Sequence, residues 1–281
     1  MSKSILPTHN LENIFHKSQK LEIPQICYLK VTHHKVIPYA HISEILDKYG
    51  LSIITLNYQD KSATFKKIIN TLGHPHLHKE ENSYLWDIKV VRGKKMTQPL
   101  ARSHKDDEFH FHTDCSYEEN VPDYFALYVL HADKKLGGNN LILDVKWLKD
   151  ALSHKSLKIL KNIPITINVP KEFFKGIDFI KACIFDKYFN IRYRREIINF
   201  DHLTSEQFNA ISELEHLIYL PKLCRGFTLR DNQILILSNK RFLHAKTQIN
   251  DPERHLQRIR FFKTSSALSS ADQKKNNNFL V

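Results

Sequence analysis

A histidine and an aspartate one residue apart, His112-Thr113-Asp114, are where chemistry first suggests itself in this sequence. On a strand, side chains at i and i+2 leave on the same face. An imidazole and a carboxylate can therefore meet at one cation if the chain bends just after His112. A second imidazole, His244 in Asn239-Lys240-Arg241-Phe242-Leu243-His244, lies about 130 residues further on. Two imidazoles and one carboxylate grip Fe(II) from one side and leave adjacent positions open for a co-substrate and O2. His110 is a competing imidazole, either a ligand itself or a partner of the ligands. The triplet is weak evidence in a chain with 17 histidines. Two arginines strengthen it: Arg254 lies ten residues after His244, and Arg258 four further on. The planar guanidinium binds a carboxylate through two parallel hydrogen bonds, as the far end of a dicarboxylic co-substrate would require. Standing alone, the same arginines would equally suit an exposed edge strand.

Those residues need short strands to position them. Phe109 to Thr113 alternates aromatic and polar residues, as a strand with one buried face does. Strands are also expected at 26–31, 51–56, 84–91, 124–131, 140–144, 191–194, 227–229, 234–237 and 258–263. Helices are expected at 42–49, 60–72, 147–160 and 205–219, with Gly73 as a stop and Thr204 as an N-cap. Gly137-Gly138 reads as a turn, and residues 92–107 as a charged surface loop and candidate lid. Many short strands with a few helices predict a mainly β protein with added helices, a jelly-roll-like double sheet. The expected organisation is a loosely ordered segment over 1–25, a single domain over 26–264 and a flexible polar tail over 265–281.

Composition narrows the class. The chain has 281 residues, 42% of them hydrophobic and 11% aromatic, enough for a packed core. No run of about 20 apolar residues predicts a membrane span, and the first ten residues lack the apolar stretch of a secretory leader. Four scattered cysteines show no C-x-x-C pair, which points to free thiols in a reducing cytoplasm. Seven glycines and no G-x-G-x-x-G or Walker-type loop argue against a phosphate cradle. The net charge of +12 suits either a solvated surface or an anionic partner.

Four segments in one order resemble a known family: Phe111-His112-Thr113-Asp114, Gly137-Gly138-Asn139-Asn140-Leu141, Asn239 to His244, and Arg254-x-x-x-Arg258. Together with Ala101-Arg102-Ser103, they resemble the taurine dioxygenase and clavaminate synthase-like superfamily over roughly residues 84–263. The resemblance implies a double-stranded β-helix, that is, a distorted, cupin-like jelly roll. It also implies an oxygenase that uses Fe(II), 2-oxoglutarate and O2 to oxidise a C–H bond, most often by hydroxylation, and releases succinate and CO2. His112, Asp114 and His244 would hold iron. Arg254 would bind the far carboxylate of 2-oxoglutarate, and Arg258 would lie near its chelating carboxylate or touch an anionic substrate group. Asn140 stands where many relatives carry a Thr that contacts 2-oxoglutarate. Ala245-Lys246 stands where they often carry Gly-Arg. Related halogenases have a small residue in place of Asp114, so its presence favours hydroxylation or desaturation.

The substrate is read as a small molecule, anionic or amino-acid-like. Arg102, Tyr84, Trp86 and Phe109 are candidate contacts, and Arg192 and Arg194 could suit an anion. The alternatives are an oxygenase acting on a macromolecular or carrier-bound anion, and a basic nucleic-acid-binding protein without catalysis. The latter finds no known motif and no clustered basic arm. The sequence leaves an oligomer open.

Overall fold

Runs of β-branched and aromatic residues alternate with turn signals along the chain, and most of them form strands. The computed structural model describes residues 9–20, 24–77, 84–91 and 101–264. In chain order its elements are α1 (Leu11–Lys17), β1 (Gln19–Lys20), β2 (Tyr28–Val31), α2 (Tyr39–Tyr49), β3 (Leu51–Leu56), α3 (Ala63–Leu72), β4 (Gly73–Pro75), β5 (Trp86–Lys89), β6 (Phe109–His112), β7 (Tyr124–His131) and β8 (Asn140–Asp144). Then come α4 (Val145–Ala151), α5 (His154–Asn162), β9 (Ile165–Asn168), β10 (Phe179–Ala182), α6 (Ser205–Ile218), β11 (Arg225–Phe227), β12 (Gln233–Ser238), β13 (Phe242–Lys246) and β14 (His255–Lys263).

The strands form a five-stranded sheet in the order β1-β11-β8-β13-β6 and a seven-stranded sheet in the order β2-β3-β12-β7-β14-β4, with β5 also paired to β14. A separate hairpin joins β9 and β10. Period-two alternation assigns every strand an inner and an outer face. On β12, Leu235 and Leu237 point inward and join Phe125, Ile142, Phe242 and Leu256 in a core shared by the two sheets. Ile234 and Ile236 point outward, against α2 and α3. On the five-stranded sheet, Leu141, Leu143, Leu243 and Ala245 point outward against α4, α5 and α6. Both sheets are thus capped by helices, and the space between their inner faces holds the polar residues of interest.

Several expectations are corrected in detail. The helix expected over 147–160 is two helices, because Ser153 caps α5 by accepting a hydrogen bond from Ser156 N. Residues 191–194 make only isolated bridges, Ile191 to Phe185 and Arg194 to His112. His244, beyond the strand expected at 234–237, lies on a strand of its own that was not expected, β13. Within the segment expected to be loosely ordered, residues 11–17 form α1. Leu11 and Ile14 of α1 are buried in the outer core, and the Glu108 carboxylate accepts hydrogen bonds from Leu11 N and Glu12 N at 2.9 and 3.3 Å. Two apolar residues one turn apart were too short a pattern to flag the helix. The tail 265–281, and residues 92–100 of the candidate lid, lie outside the described residues.

Candidate active site

β6 and β13 are antiparallel neighbours, and His244 stands directly opposite His112 on the inner face. Their rings lie 4.2 Å apart between centroids. Phe109 stacks on His112 at 3.7 Å, and Phe125 packs on His244 at 4.2 Å. After His112 the strand stops. Thr113 turns away, donating from its N to Tyr193 O at 2.7 Å. Cys115 adopts a left-handed φ of 56°, which a non-glycine residue takes only when its surroundings demand it. The bend returns the Asp114 side chain to the histidines. Asn239, fully buried, secures it: Asp114 N donates to Asn239 Oδ1 at 2.8 Å, and Asn239 Nδ2 donates back to Asp114 O at 2.9 Å.

Asp114 Oδ1 lies 3.6 Å from His112 Nε2 and 3.8 Å from His244 Nε2. The donor atoms of the three residues all fall within 4.8 Å of one another, the spacing of a carboxylate and two imidazoles around one divalent ion. His112 Nδ1 bonds the carbonyl of His110 at 2.8 Å, so Nδ1 carries the proton and Nε2 presents a lone pair. His110 contributes that carbonyl, while its ring stands edge-on to Tyr219. Burial pushes the His112 imidazole below its ordinary pKa, and burial together with the neighbouring His112 pushes His244 well below. Both are therefore neutral near pH 7, as ligands must be. Burial alone would raise Asp114. The Arg258 and Arg260 guanidiniums overcome that and hold the carboxyl well below its usual range. The residues present thus fit a metal ion.

A cavity runs from His112 and His244 between the sheets to Arg254, passing Asn140 and Lys246. Arg254 is only 6% exposed, yet among the described residues its side chain has neither a hydrogen bond nor an ion pair. Burial lowers its pKa to about 10. A buried guanidinium without a partner is costly, so the cavity calls for an anion at this end. Gly138 makes the room. Its φ is +61°, and a Cβ there would lie 2.8 Å from Arg254 Nε. Asn140 is also buried, lines the cavity and faces Lys246 across β8 and β13. Lys246 Nζ donates to Asp107 O, and burial, then Arg254 and Arg102, lower its pKa to about 7.

On the other side of Asp114 a smaller cavity is lined by Arg102, Phe109, Tyr117, Phe173, Arg194 and the pair Arg258 and Arg260. Arg102 and Arg194 share Glu196, at 3.5 and 2.8 Å. Arg258 touches Asp114, with Nη1 3.3 Å from Oδ2, and its Nε is buried without a hydrogen-bond partner. It lines both cavities, at their junction.

Not every expected contact lies here. Tyr84 precedes β5, packs on the outer core and accepts a hydrogen bond from Asn70 Nδ2 at 3.3 Å. It is excluded from the site because the strand's alternation begins only at Trp86. Trp86 packs with the inner core, bonds Ser103 Oγ at 3.2 Å and stands near Phe173, so it supports the cavity wall from behind. Arg192 is tied to the backbone carbonyls of Ser116, Glu118 and Glu119 and points away. Two site residues escaped the sequence reading. Arg260 was legible only as a second even position on β14 with Arg258, and Asn239 only as the first residue of the segment Asn239 to His244, with no role of its own.

The model of the taurine catabolism dioxygenase TauD, TfdA family matches residues 32–260. The chain belongs to that family. It is an oxygenase dependent on Fe(II) and 2-oxoglutarate, with O2 as co-substrate. No curated protein matches the sequence. Among solved structures, asparagine oxygenase in complex with Fe(II), 2S,3S-3-hydroxyasparagine and succinate is similar at 16% identity and a TM-score of 0.64, over 80% of this chain and 78% of that one. The non-heme iron oxygenase OrfP, in complex with Fe and alpha-ketoglutaric acid, is similar at 14% identity and 0.64, over 80% and 82%. A taurine dioxygenase from Burkholderia xenovorans is similar at 14% identity and 0.59, over 82% and 83%. At such identities these likenesses speak for the fold. No described helix is long and apolar enough to cross a membrane.

Proposed function

We propose that His112, Asp114 and His244 hold the iron, that Arg254 and Asn140 bind the far end of 2-oxoglutarate, and that the enzyme hydroxylates a small anionic substrate. We read the two facing sheets as a distorted double-stranded β-helix, and residues 26–264 as one domain with α1 docked on it. The observation that carries the reading is the buried Arg254, without a side-chain hydrogen bond or ion pair among the described residues, at one end of a cavity whose other end is the three-donor cluster. A dicarboxylate that chelates a metal at the cluster satisfies both ends.

The chemistry supplied by bound iron, 2-oxoglutarate and O2 is oxidation of a C–H bond, with succinate and CO2 as co-products. The chain's own residues prepare it. Neutral His112 and His244 and ionised Asp114 present their lone pairs on one side. Phe109 and Phe125 keep water from the imidazoles. Arg102, Arg194 and Arg258 attract and orient an anion beside Asp114.

OrfP has been solved with (3S)-hydroxy-L-Arg and asparagine oxygenase with 3-hydroxyasparagine. The cavity described here favours a different charge pattern. Its lining includes four guanidiniums, and Asp114, itself held by two of them, is the only acid among the described lining residues. Among the described lining residues no free carboxylate waits there for an α-ammonium group. An acid lacking that group, such as a carboxylate, sulfonate or phosphonate, fits better than a free amino acid.

The test is anaerobic addition of Fe(II) and 2-oxoglutarate, read by the visible charge-transfer band of the chelate. The band is expected in the wild type and lost in Asp114→Ala and His244→Ala. A band that survives unchanged in either variant rejects the ligand set. Succinate release across carboxylates, sulfonates, phosphonates and free amino acids then tests the substrate. Stimulation by amino acids alone rejects the anion reading, and stimulation only by a carrier-bound acid shifts it to a macromolecular substrate.

A further inference from the structure

Arg260 has no place in the motifs that mark the site, yet it makes the shortest contact to the proposed iron ligand. β14 alternates, so Leu256, Arg258 and Arg260 all enter the space between the sheets, while Ile259 and Phe261 leave it. Arg260 is 4% exposed, and its Nε donates to Asp114 Oδ2 at 2.7 Å. Arg258 Nη1 is looser, 3.3 Å from Oδ2 and 3.4 Å from Oδ1. The two imidazole Nε2 atoms lie on the side of the other oxygen, Oδ1. The carboxylate is therefore divided, one oxygen toward the imidazoles and one engaged by a guanidinium. Its backbone is fixed separately through Asn239.

Resting on the reading of Asp114 as an iron ligand, we infer that Arg260 is a positioning residue that reserves Asp114 Oδ2 and so makes this carboxylate a one-oxygen ligand. A free carboxylate can swing to offer both oxygens to a metal and close a coordination position. A guanidinium locked on Oδ2 by burial prevents that swing and keeps the position open for the co-substrates. Partners that hold ligating groups in this way commonly change metal affinity by about 10–100-fold when removed.

The experiment uses the full chain, stripped of metal and titrated with Co(II), whose visible bands report coordination number. Affinity is expected to fall in the order wild type, Arg260→Lys, Arg260→Gln, because lysine keeps a cation but not the fixed Nε–H. The drop to Arg260→Gln should be roughly 10–100-fold. The Arg260→Gln bands should shift toward higher coordination, with partial return in Arg260→Lys. Thermal unfolding of the metal-free proteins checks that each variant folds. If Arg260→Gln does not fold, the wild type and Arg260→Lys decide alone. Equal affinity and equal bands in the folded variants, or tighter binding in Arg260→Gln, overturn the inference. Asp114→Ala separates it from the reading on which it rests. Co(II) binding that survives Asp114→Ala rejects the ligand assignment, whereas binding lost there but unchanged in Arg260→Gln rejects only the role of Arg260.

Discussion

At the scale of single residues, the site is governed by burial of charge. Arg254 is a cation that the protein does not neutralise by hydrogen bond or ion pair among the described residues, and Asp114 is an anion that it neutralises twice. Replacing Arg254 with Met should weaken 2-oxoglutarate by roughly 100-fold, the loss of a two-pronged charge-assisted bond. Metal affinity should stay within a few-fold. Titrations of the metal-loaded protein with 2-oxoglutarate, and of the metal-free protein with Co(II), would check both. The imidazoles predict a pH dependence. His112 and His244 have pKa values below those of an unfolded chain, where histidine titrates near ~6.5. Below that pH the unfolded state binds more protons than the folded one, so stability falls as pH falls, by at most about 1.4 kcal/mol per unit for each group. Thermal unfolding of the metal-free protein from pH 7.5 to 5 should show the decline. Replacing both histidines with Gln should flatten it without abolishing it, because His104 and His110 are lowered by burial as well.

At the scale of elements, the turn before β8 and the helix α1 each do something that composition does not announce. Gly138 combines a left-handed φ with a close approach to Arg254. Gly138→Ala should cost about 1–2 kcal/mol of stability. It should also weaken 2-oxoglutarate, because the added methyl displaces the guanidinium, while Co(II) affinity is unchanged. Unfolding curves beside ligand titrations would separate the two effects. Helix α1 buries Leu11 completely in the core on the outer face of the smaller sheet. Its first N–H groups are satisfied by Glu108, on the segment that leads into β6. Leu11→Ala should lower stability by about 2–4 kcal/mol, measured by denaturant unfolding. A change under 1 kcal/mol would mean that α1 is only loosely attached.

At the scale of the whole molecule, two sheets with helix-covered outer faces leave one interior where polar groups converge from both. β6, β8 and β13 of one sheet supply His112, Asn140, His244 and Lys246, and β14 of the other supplies Arg258 and Arg260. Part of the +12 charge is therefore interior and local to the site instead of spread over the surface. Mainly β architecture, the strand around His112 and the helices α2, α3 and α6 were legible, because each is a periodic run of seven or more residues or a dense alternation. The β9–β10 hairpin and β13 were not, because four or five residues of mixed polarity carry no period to read.

The residue types that could hold iron and a dicarboxylate, and their order along the chain, are properties of the sequence alone, since ligand chemistry belongs to side chains wherever they lie. Whether those side chains meet is set by register. His112 and His244 face each other because β6 and β13 pair at that position, and a one-residue slip between the strands would put them on opposite faces. The same alternation brought Arg260 onto Asp114, while Tyr84, ahead of the first residue of β5, fell outside it. Contacts between strands more than a hundred residues apart depend on packing that no local pattern encodes, so these two assignments came only with the tertiary structure.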